Sequence, residues 1–307
     1  MTLDSMPSFQ PLTGIYEPSA IQQLADGRFI VVEDEKSRPL SLVTIDTDGR
    51  VHATLLEPGF FESNDRFWKL DDLEGLVLDR LGNIYATTSH SRDGEGDEKK
   101  SRDKLVRFRI EGERVVASQV AQSLKPALVA THPVLAAAAA IFDVKGSGGI
   151  NIEALELSPD QKHLWLGFRS PLLDARAIIA CVENPSALFD ADEPPRIATT
   201  LITLDLDGNG IRGMAHLPAL DGYLISSGPA SREPVQFQLW FWRGNPDEPA
   251  RRVSVPGLPG FEHAEGISPA LMDGHEKIII VSDDGSRKEG RFARYLLLDP
   301  GQLQIAP

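Results

Sequence analysis

Short apolar runs alternate with polar turns along the whole chain. Between residues 70 and 120 the runs EGLVL, NIYATT, KLVRFRI and RVVASQV are separated by turns rich in Gly and charged residues. Short runs bounded by such turns are typical of β-strands joined as hairpins. No apolar run reaches the length of a membrane span. The pattern therefore predicts an all-β protein with no membrane partner.

The strand pattern of residues 70–92 recurs along the chain. Five copies place Glu17, Glu74, Glu153, Arg212 and Glu265 before an apolar run, a turn and a second apolar run. The repeats lie near 16–57, 70–120, 149–206, 210–256 and 261–305. Four-stranded units repeated in this way predict the blades of a β-propeller.

We therefore expect a single β-propeller domain over residues 1–307, with five or six four-stranded blades and a short helical insertion. The insertion is predicted at 131–143, where Thr131 can cap a helix, Pro133 suits its first turn and a run of alanines follows. A sixth blade would have to lie between residues 118 and 149. The segment SFQPLTGI, residues 8–15, is available to complete the last blade.

Charge and cysteine content restrict the binding partners and the location that can be expected. A net charge of −14 disfavours nucleic acid, whose binding depends on clustered Lys and Arg. The short basic segment KKSRDK at 99–104 is interpreted as a solvated loop. The N-terminus lacks a basic region followed by an apolar one, and the single Cys181 cannot form an internal disulfide, so a cytoplasmic location is expected.

The recurring acidic residue is the main candidate for chemistry. If first strands line a central channel, Glu17, Glu74, Glu153 and Glu265 converge there with Arg212. Two carboxylates about 5 Å apart repel by roughly 3 kcal/mol at an effective dielectric of 20. Arginines, protonation or a cation could offset this repulsion, and oxygen ligands favour Ca²⁺ first and Mg²⁺ second. Alternatively, these carboxylates accept backbone N–H groups and hold neighbouring blades together.

Polar residues at the ends of the second strands form a second candidate set. The planar guanidinium of Arg169, like that of Arg212, suits a small anionic ligand. The same arginines could instead pair with the glutamates and simply hold the blades together. His90, between two serines, could act as an acid or base near neutral pH.

Three segments carry a resemblance to known families. DLEGLVLD, the stretch from NIEAL to Arg176 and HAEGISP resemble a bacterial propeller family classed as a domain of unknown function. The chain is more distantly similar to phytase-like esterase propellers and to the gluconolactonase–regucalcin group. The latter resemblance implies a divalent metal held at some of Glu17, Glu74, Glu153 and Glu265. Two positions differ from the pattern of these families. Ala154 stands where Gly usually follows the glutamate, and Arg212 stands where the fourth repeat would have an acidic residue.

Two functions follow as hypotheses. The first is a ligand-binding or scaffold propeller whose central channel is lined by carboxylates and arginines. The second is a divalent-metal-assisted hydrolase of a phosphoester, ester or lactone, in which the metal polarises the bond and activates water. In the second hypothesis Arg169 and Arg212 orient the substrate and His90 transfers a proton.

Overall fold

The computed structural model describes residues 6–34, 39–60, 65–232 and 235–307. Strands predominate. In chain order they are β1 (Gln10–Pro11), β2 (Pro18–Gln23), β3 (Phe29–Glu33), β4 (Leu40–Ile45), β5 (Val51–Leu55), β6 (Glu57–Pro58), β7 (Leu73–Leu78), β8 (Ile84–Thr88), β9 (Leu105–Glu111), β10 (Arg114–Ala121), β11 (Asn151–Leu157), β12 (Leu164–Ser170), β13 (Ala177–Val182), β14 (Ile202–Leu204), β15 (Gly210–Leu217), β16 (Gly222–Gly228), β17 (Gln238–Trp242), β18 (Arg251–Ser254), β19 (Ala264–Met272), β20 (His275–Ser282), β21 (Arg294–Leu298) and β22 (Gln304–Ile305).

The helices are short and lie between strands. They are α1 (Asp65–Trp68), α2 (Leu124–Thr131), α3 (Pro133–Ala139), α4 (Val144–Ser147) and α5 (Pro185–Asp190), together with 3₁₀ turns at Lys100–Arg102, Pro218–Leu220 and Pro300–Gln302. Within the described ranges, none of these helices combines the length and the apolar character that crossing a membrane would require.

The strands form five sheets, one for each sequence repeat. Blade 1 consists of β2 to β5, blade 2 of β7 to β10 with β6, blade 3 of β11 to β14, blade 4 of β15 to β18 with β22, and blade 5 of β19 to β21 with β1. The first strands β2, β7, β11, β15 and β19 each pack against the next, and β19 packs against β2. This closed ring of inner strands makes the fold a five-bladed β-propeller.

Both chain ends are paired with strands of other segments. Gln10 and Pro11 pair with Tyr295 and Arg294, so the N-terminal segment completes blade 5, as the sequence predicts. The C-terminal strand β22 pairs with β18 and widens blade 4. Pairing of this kind leaves less exposed strand edge at the point where the ring closes.

Apolar side chains fill the spaces between neighbouring blades. Ile30 and Val32 of blade 1 belong to the same buried cluster as Leu76 and Ala86 of blade 2. Alternation along each strand places one face against each neighbour, and the apolar runs of the sequence arise because both faces are covered. Removal of this surface from water stabilises the blades and fixes the relative positions of the inner strands.

The helical insertion is larger than predicted. It comprises α2, α3 and α4 rather than one helix over 131–143, and its helices exclude a sixth blade in this segment. Pro133 does stand in the first turn of α3, but Thr131 does not cap that helix. Thr131 is the last residue of α2, its hydroxyl donates to the carbonyl of Ala127, and His132 holds the capping position. The reason is that α2 buries Leu124 and Leu128 in the same cluster as Leu135 of α3.

Candidate functional site

Each inner strand contains a β-bulge near its start. In blade 2, Leu73 pairs with Thr88 and Gly75 with Thr87, so Glu74 between them has no partner across the sheet. Equivalent irregularities occur in the other four inner strands. A bulge redirects a side chain out of the regular alternation. The residues at these positions, here called the inner ring, are Ser19, Glu74, Glu153, Arg212 and Glu265.

All five residues of the inner ring line one cavity of about 440 Å³ at one end of the propeller axis. Three of the four predicted glutamates are therefore brought together with Arg212, and Arg169 joins them in the cavity wall. Glu17 is the exception, because it precedes β2, is exposed and does not line the cavity. The alignment of the five repeats that assigned Glu17 to this position is wrong by two residues, and Ser19 holds the equivalent position.

A signal for Ser19 was present in the sequence. The residue after each member of the inner ring is small: Ala20, Gly75, Ala154, Gly213 and Gly266. The inner strands approach each other closely there, so that a β-carbon on Gly75 would lie 2.8 Å from the backbone nitrogen of Leu155. Alignment on the small residue, rather than on the acidic one, would have identified the ring position in blade 1.

Arg212 occupies the centre of a buried ion network. Its Nε lies 2.8 Å from Oε2 of Glu153, and its Nη2 donates to Oε1 of Glu265. Although burial opposes the charged form, these two carboxylates raise the pKa of Arg212. Arg169 adds a contact of 3.2 Å from Nη1 to Oε1 of Glu153, and its Nε donates to the carbonyl oxygen of Pro229 at 2.9 Å. Arg169 and Arg212 thus connect blades 3, 4 and 5.

The alternative in which the ring glutamates accept backbone N–H groups is not found for Glu153 or Glu265 among the described residues. That role belongs to Glu156, three residues further along β11. Its carboxylate accepts the N–H groups of Leu157 at 2.7 Å and of His216 in blade 4 at 2.8 Å. Burial raises the pKa of Glu156 to about 7 despite these two hydrogen bonds.

A second network surrounds Asp72, just before β7. Arg102 places Nη1 3.0 Å from Oδ2 of Asp72, and its Nε lies 3.0 Å from Oδ2 of Asp71. Oδ2 of Asp72 also accepts the hydroxyl of Ser91 at 3.1 Å and that of Ser89. The segment 99–104 is therefore not a fully solvated loop. Basic groups within it bond buried carboxylates and carbonyls because the loop folds back over blade 2.

Glu74 differs from the other ring carboxylates. Its side chain is 9% exposed, and within the described ranges it has no hydrogen bond or ion pair. Burial raises the pKa of Glu74 well above its usual value, and the charges of Glu153, Asp72 and Glu265 raise it further. A buried carboxyl without a partner is costly when ionised. Glu74 is therefore the ring position at which a proton or a cation is most strongly favoured.

The rest of the cavity wall is also rich in charge. With the inner ring included, nine acidic and six basic side chains line the whole cavity. The acidic ones are Asp34, Asp72, Glu74, Asp93, Glu95, Asp143, Glu153, Glu265 and Asp283. The pKa of Asp283 is raised, mainly by burial. The excess of acidic groups makes the cavity a better environment for a cation than for an isolated anion.

His90 lies outside this cavity. It follows β8, its ring is buried, and its Nδ1 lies 2.6 Å from Oδ1 of Asp103. The hydroxyls of Ser89 and Ser91 both point to Asp72, whereas His90 is not among the residues that line the cavity. The acid–base role predicted for His90 has no support from this geometry.

A compact group of carboxylates occurs at the rim. In the described part of the chain, the only three acidic residues whose oxygens all lie within 4.8 Å of one another are Asp93, Glu95 and Asp97. Asp93 accepts the backbone N–H groups of Glu95 and Asp97, and Lys99 lies 3.1 Å from it. These bonds account for the loop as a turn stabilised by its own side chain.

The family model described as "Phytase-like: Esterase-like activity of phytase" matches residues 10–226, which is more than half of the chain. The chain belongs to the phytase-like family. The resemblance to phytase-like esterase propellers expected from the sequence is thereby confirmed. The family match includes Glu74, Glu153 and Arg212, whereas Glu265 lies in the part of the phytase-like chain beyond it.

Solved structures show weak likenesses to this phytase-like chain. An oxidoreductase (glucose dehydrogenase) of Thermus thermophilus is 15% identical with a TM-score of 0.47, over 95% of this chain and 100% of the other. The PQQ-bound aldose sugar dehydrogenase of Streptomyces coelicolor is 16% identical with a TM-score of 0.43, over 95% and 98%. At these values the likenesses do not bear on activity. A search of curated proteins gives no significant match.

Proposed function

We propose that this phytase-like propeller hydrolyses an ester bond with the help of a divalent cation bound on the Glu74 side of the central cavity. The observation that carries the proposal is Glu74, a buried carboxyl in the cavity wall without a bonded partner among the described residues. The family to which the chain belongs is described by an esterase-like activity, which makes an ester the first substrate class to test.

The surroundings of Glu74 fit a hard cation. Asp34 and Asp72 line the same cavity, and the charges of both act on Glu74. Ca²⁺ takes six to eight oxygen ligands and Mg²⁺ about six, mostly from carboxylates, carbonyls and water. Glu74 and water molecules would hold such an ion, with Asp72 and Asp34 adding negative charge nearby, and the bound ion would polarise the ester carbonyl or phosphoryl oxygen and lower the pKa of a water molecule.

The chain's own groups would bind and orient the substrate. Lys145, on α4, lies in the cavity wall close enough to Asp34 for its charge to act on that carboxyl. Arg232 lies in the same wall, where Nη2 is 3.1 Å from Oδ1 of Asp143. A phosphate or carboxylate on the substrate would compete for these exposed cations more readily than for Arg212, which two buried glutamates already bind.

A second candidate function is a non-catalytic ligand-binding or scaffold propeller. It is favoured by the Arg212 network, because Glu153 and Glu265 are already neutralised without any added ion. In that case the small anionic ligand predicted from the sequence would bind at the basic rim and no bond would be cleaved.

The test combines ion binding with hydrolysis in three proteins: the unaltered chain, Glu74→Gln and the control Glu17→Gln. We expect the unaltered chain and Glu17→Gln to bind one Ca²⁺ or Mg²⁺ by titration calorimetry, and Glu74→Gln to bind it at least tenfold more weakly. Hydrolysis of 4-nitrophenyl acetate and 4-nitrophenyl phosphate should follow the same order and stop in EDTA.

Each part can fail separately. Hydrolysis that continues unchanged in EDTA would overturn the cation while leaving the esterase. Absence of both ion binding and hydrolysis would favour the scaffold. Equal losses in Glu17→Gln and Glu74→Gln would contradict the ring alignment itself.

A further inference from the structure

A second cavity lies beside the central one. It has a volume of about 590 Å³ and is enclosed between the α3–α4 segment and loops of blades 3 and 4. We call it the side compartment, and its central lining residues are Ala137, Ala138, Leu172, Asn209, Pro229 and Ala230. Its volume falls in the range of small-molecule sites, about 300–1,000 Å³.

The side compartment and the central cavity share their walls. Val144 and Lys145 line the cavity, and the next residues of the chain, Gly146 and Ser147, line the compartment. Blade 3 repeats this arrangement with Arg169 and Ser170, and the loop after β16 does so with Arg232 and Ser231. In each of three chain segments, consecutive residues therefore line the two different spaces, which makes the spaces neighbours.

Polar contacts hold these segments in place. Arg169 Nε donates to the carbonyl oxygen of Pro229 at 2.9 Å, which links the blade 3 segment to the loop after β16. Arg232 Nη2 lies 3.1 Å from Oδ1 of Asp143, and the same oxygen accepts the N–H of Gly146 at 3.1 Å. These bonds fix the wall between the two spaces, and the Arg232–Asp143 pair within it is exposed.

The two spaces differ in chemistry. Fifteen charged side chains line the central cavity, whereas no charged side chain lines the compartment among the described residues. Alanine, proline and aliphatic side chains line it, together with three serines, Ser147, Ser170 and Ser231. Such a lining favours an apolar ligand group, because each buried methylene contributes about 0.8 kcal/mol by leaving water.

One polar side chain in the compartment lacks a partner. Asn209 is 3% exposed, and its Oδ1 has no hydrogen bond within the described ranges. A buried amide usually finds a partner, and each that does not requires an explanation. Because Oδ1 is an acceptor, a ligand that offers a hydroxyl or an amide N–H group would supply the missing bond.

We propose that the side compartment binds the apolar arm of a ligand whose polar end lies in the central cavity. Resting on the proposed function, the ligand is an ester with an aliphatic acyl chain of several carbons. The helical insertion then acts as a specificity wall, since α3 and α4 supply one side of the compartment.

The variant Ala137→Phe tests this inference directly. Ala137 is exposed to the compartment on α3, so a phenyl group there fills the space without entering the core. Ala140→Phe, at an exposed position just after the same helix and outside the compartment lining, is the matched control. Equal melting temperatures of the two variants would show that both fold.

The assay compares 4-nitrophenyl acetate, butyrate and octanoate. In the unaltered chain and in Ala140→Phe, kcat/KM should rise about fifteenfold from acetate to butyrate, which adds two methylenes. In Ala137→Phe this rise should disappear while acetate hydrolysis stays the same. Hydrolysis without any chain-length preference in the unaltered chain would overturn the inference and leave the proposed function intact.

If none of the three esters is hydrolysed, the proposed function fails and 1-octanol decides the inference. Its binding can be followed by saturation-transfer NMR without any chemistry. Binding to the unaltered chain and to Ala140→Phe, lost in Ala137→Phe, would support the apolar site. No binding, or equal binding to all three proteins, would overturn it.

Discussion

On one side of the inner ring Arg212 binds the carboxylates of both neighbours, whereas on the other side Glu74 stands between Ser19 and Glu153 without a bonded partner among the described residues. We call Glu153, Arg212 and Glu265 the closed half and Ser19 and Glu74 the open half. Both halves are built by the same bulge in the same type of strand. Only the side chains differ, so the comparison isolates what charge alone does at this position.

The closed half has the features of a structural network. Its two carboxylates share the cation of Arg212, and Arg169 and Asn151 supply further hydrogen bonds to Glu153. The open half keeps an acidic group in a buried place where nothing offsets its charge. Natural proteins retain such costly groups mainly where they bind or react. We therefore propose function for the Glu74 side and stability for the Arg212 side.

The largest effect is expected from Arg212→Met, which removes the cation of the closed half. Glu153 and Glu265 would remain buried without their bonds to Arg212, so the free energy of unfolding should fall by about 3–5 kcal/mol. Urea denaturation monitored by tryptophan fluorescence measures it. Arg252→Met, which breaks the exposed pair with Asp207, is the control and should cost less than about 1 kcal/mol.

An extension of this experiment separates charge from packing. Adding Glu153→Gln and Glu265→Gln to Arg212→Met removes the uncompensated charges and should restore part of the lost stability. A triple variant no more stable than Arg212→Met alone would show that the closed half stabilises by shape rather than by charge.

A smaller effect is expected from Gly213→Ala, next to Arg212. A β-carbon there would overlap the carbonyl oxygen of Glu265 in the neighbouring inner strand. Overpacking of this kind costs about 1–3 kcal/mol, and it should also shift Glu265 away from Arg212. Thermal unfolding checks the prediction against Gly301→Ala, where nothing lies within 4 Å of the added carbon. Equal melting temperatures would mean that the inner strands can separate at this point.

The sequence predicts much of the fold because the fold is repetitive. Five apolar and polar patterns became five blades, and the N-terminal segment paired with β21 as expected. Strand periodicity is a local property, so it survives in a single sequence. The α2 helix was missed for the opposite reason: its apolar face is defined by contacts with α3 rather than by a long periodic run.

The residues of the site were predictable only where they occupy equivalent positions in the sequence repeats. Glu74, Glu153, Glu265 and Arg212 share a position in the pattern and meet in one cavity. Arg102 and Asp72 come from different segments, and nothing in either segment indicates the other. The wrong choice of Glu17 has a geometric cause: a bulge adds a residue to one strand without leaving a mark in the amino-acid letters.

The effect that starts from zero, and the sharpest test of the open half, is the pH dependence of Glu74→Gln. The pKa of Glu74 is raised in the folded state, whereas an unfolded chain has a glutamate pKa of about 4.3. Near pH 4 both states hold the proton, so the variant and the unaltered chain should be equally stable. As pH rises, the unfolded chain loses its proton first, and the unaltered protein loses stability until the folded pKa is passed.

The variant cannot titrate at this position, so its advantage should grow from about zero near pH 4 to a plateau at alkaline pH. The plateau is about 1.4 kcal/mol for each pKa unit between the two states. Urea midpoints measured from pH 4 to pH 9 give the curve, and Glu17→Gln, on an exposed residue, should give a flat one.

A cation on the open half adds a second signature, because Ca²⁺ at pH 8 should stabilise the unaltered chain and reverse the order of the two proteins. An advantage of Glu74→Gln that is constant with pH would mean that this carboxyl is already neutralised, and the two halves of the ring would no longer differ in charge.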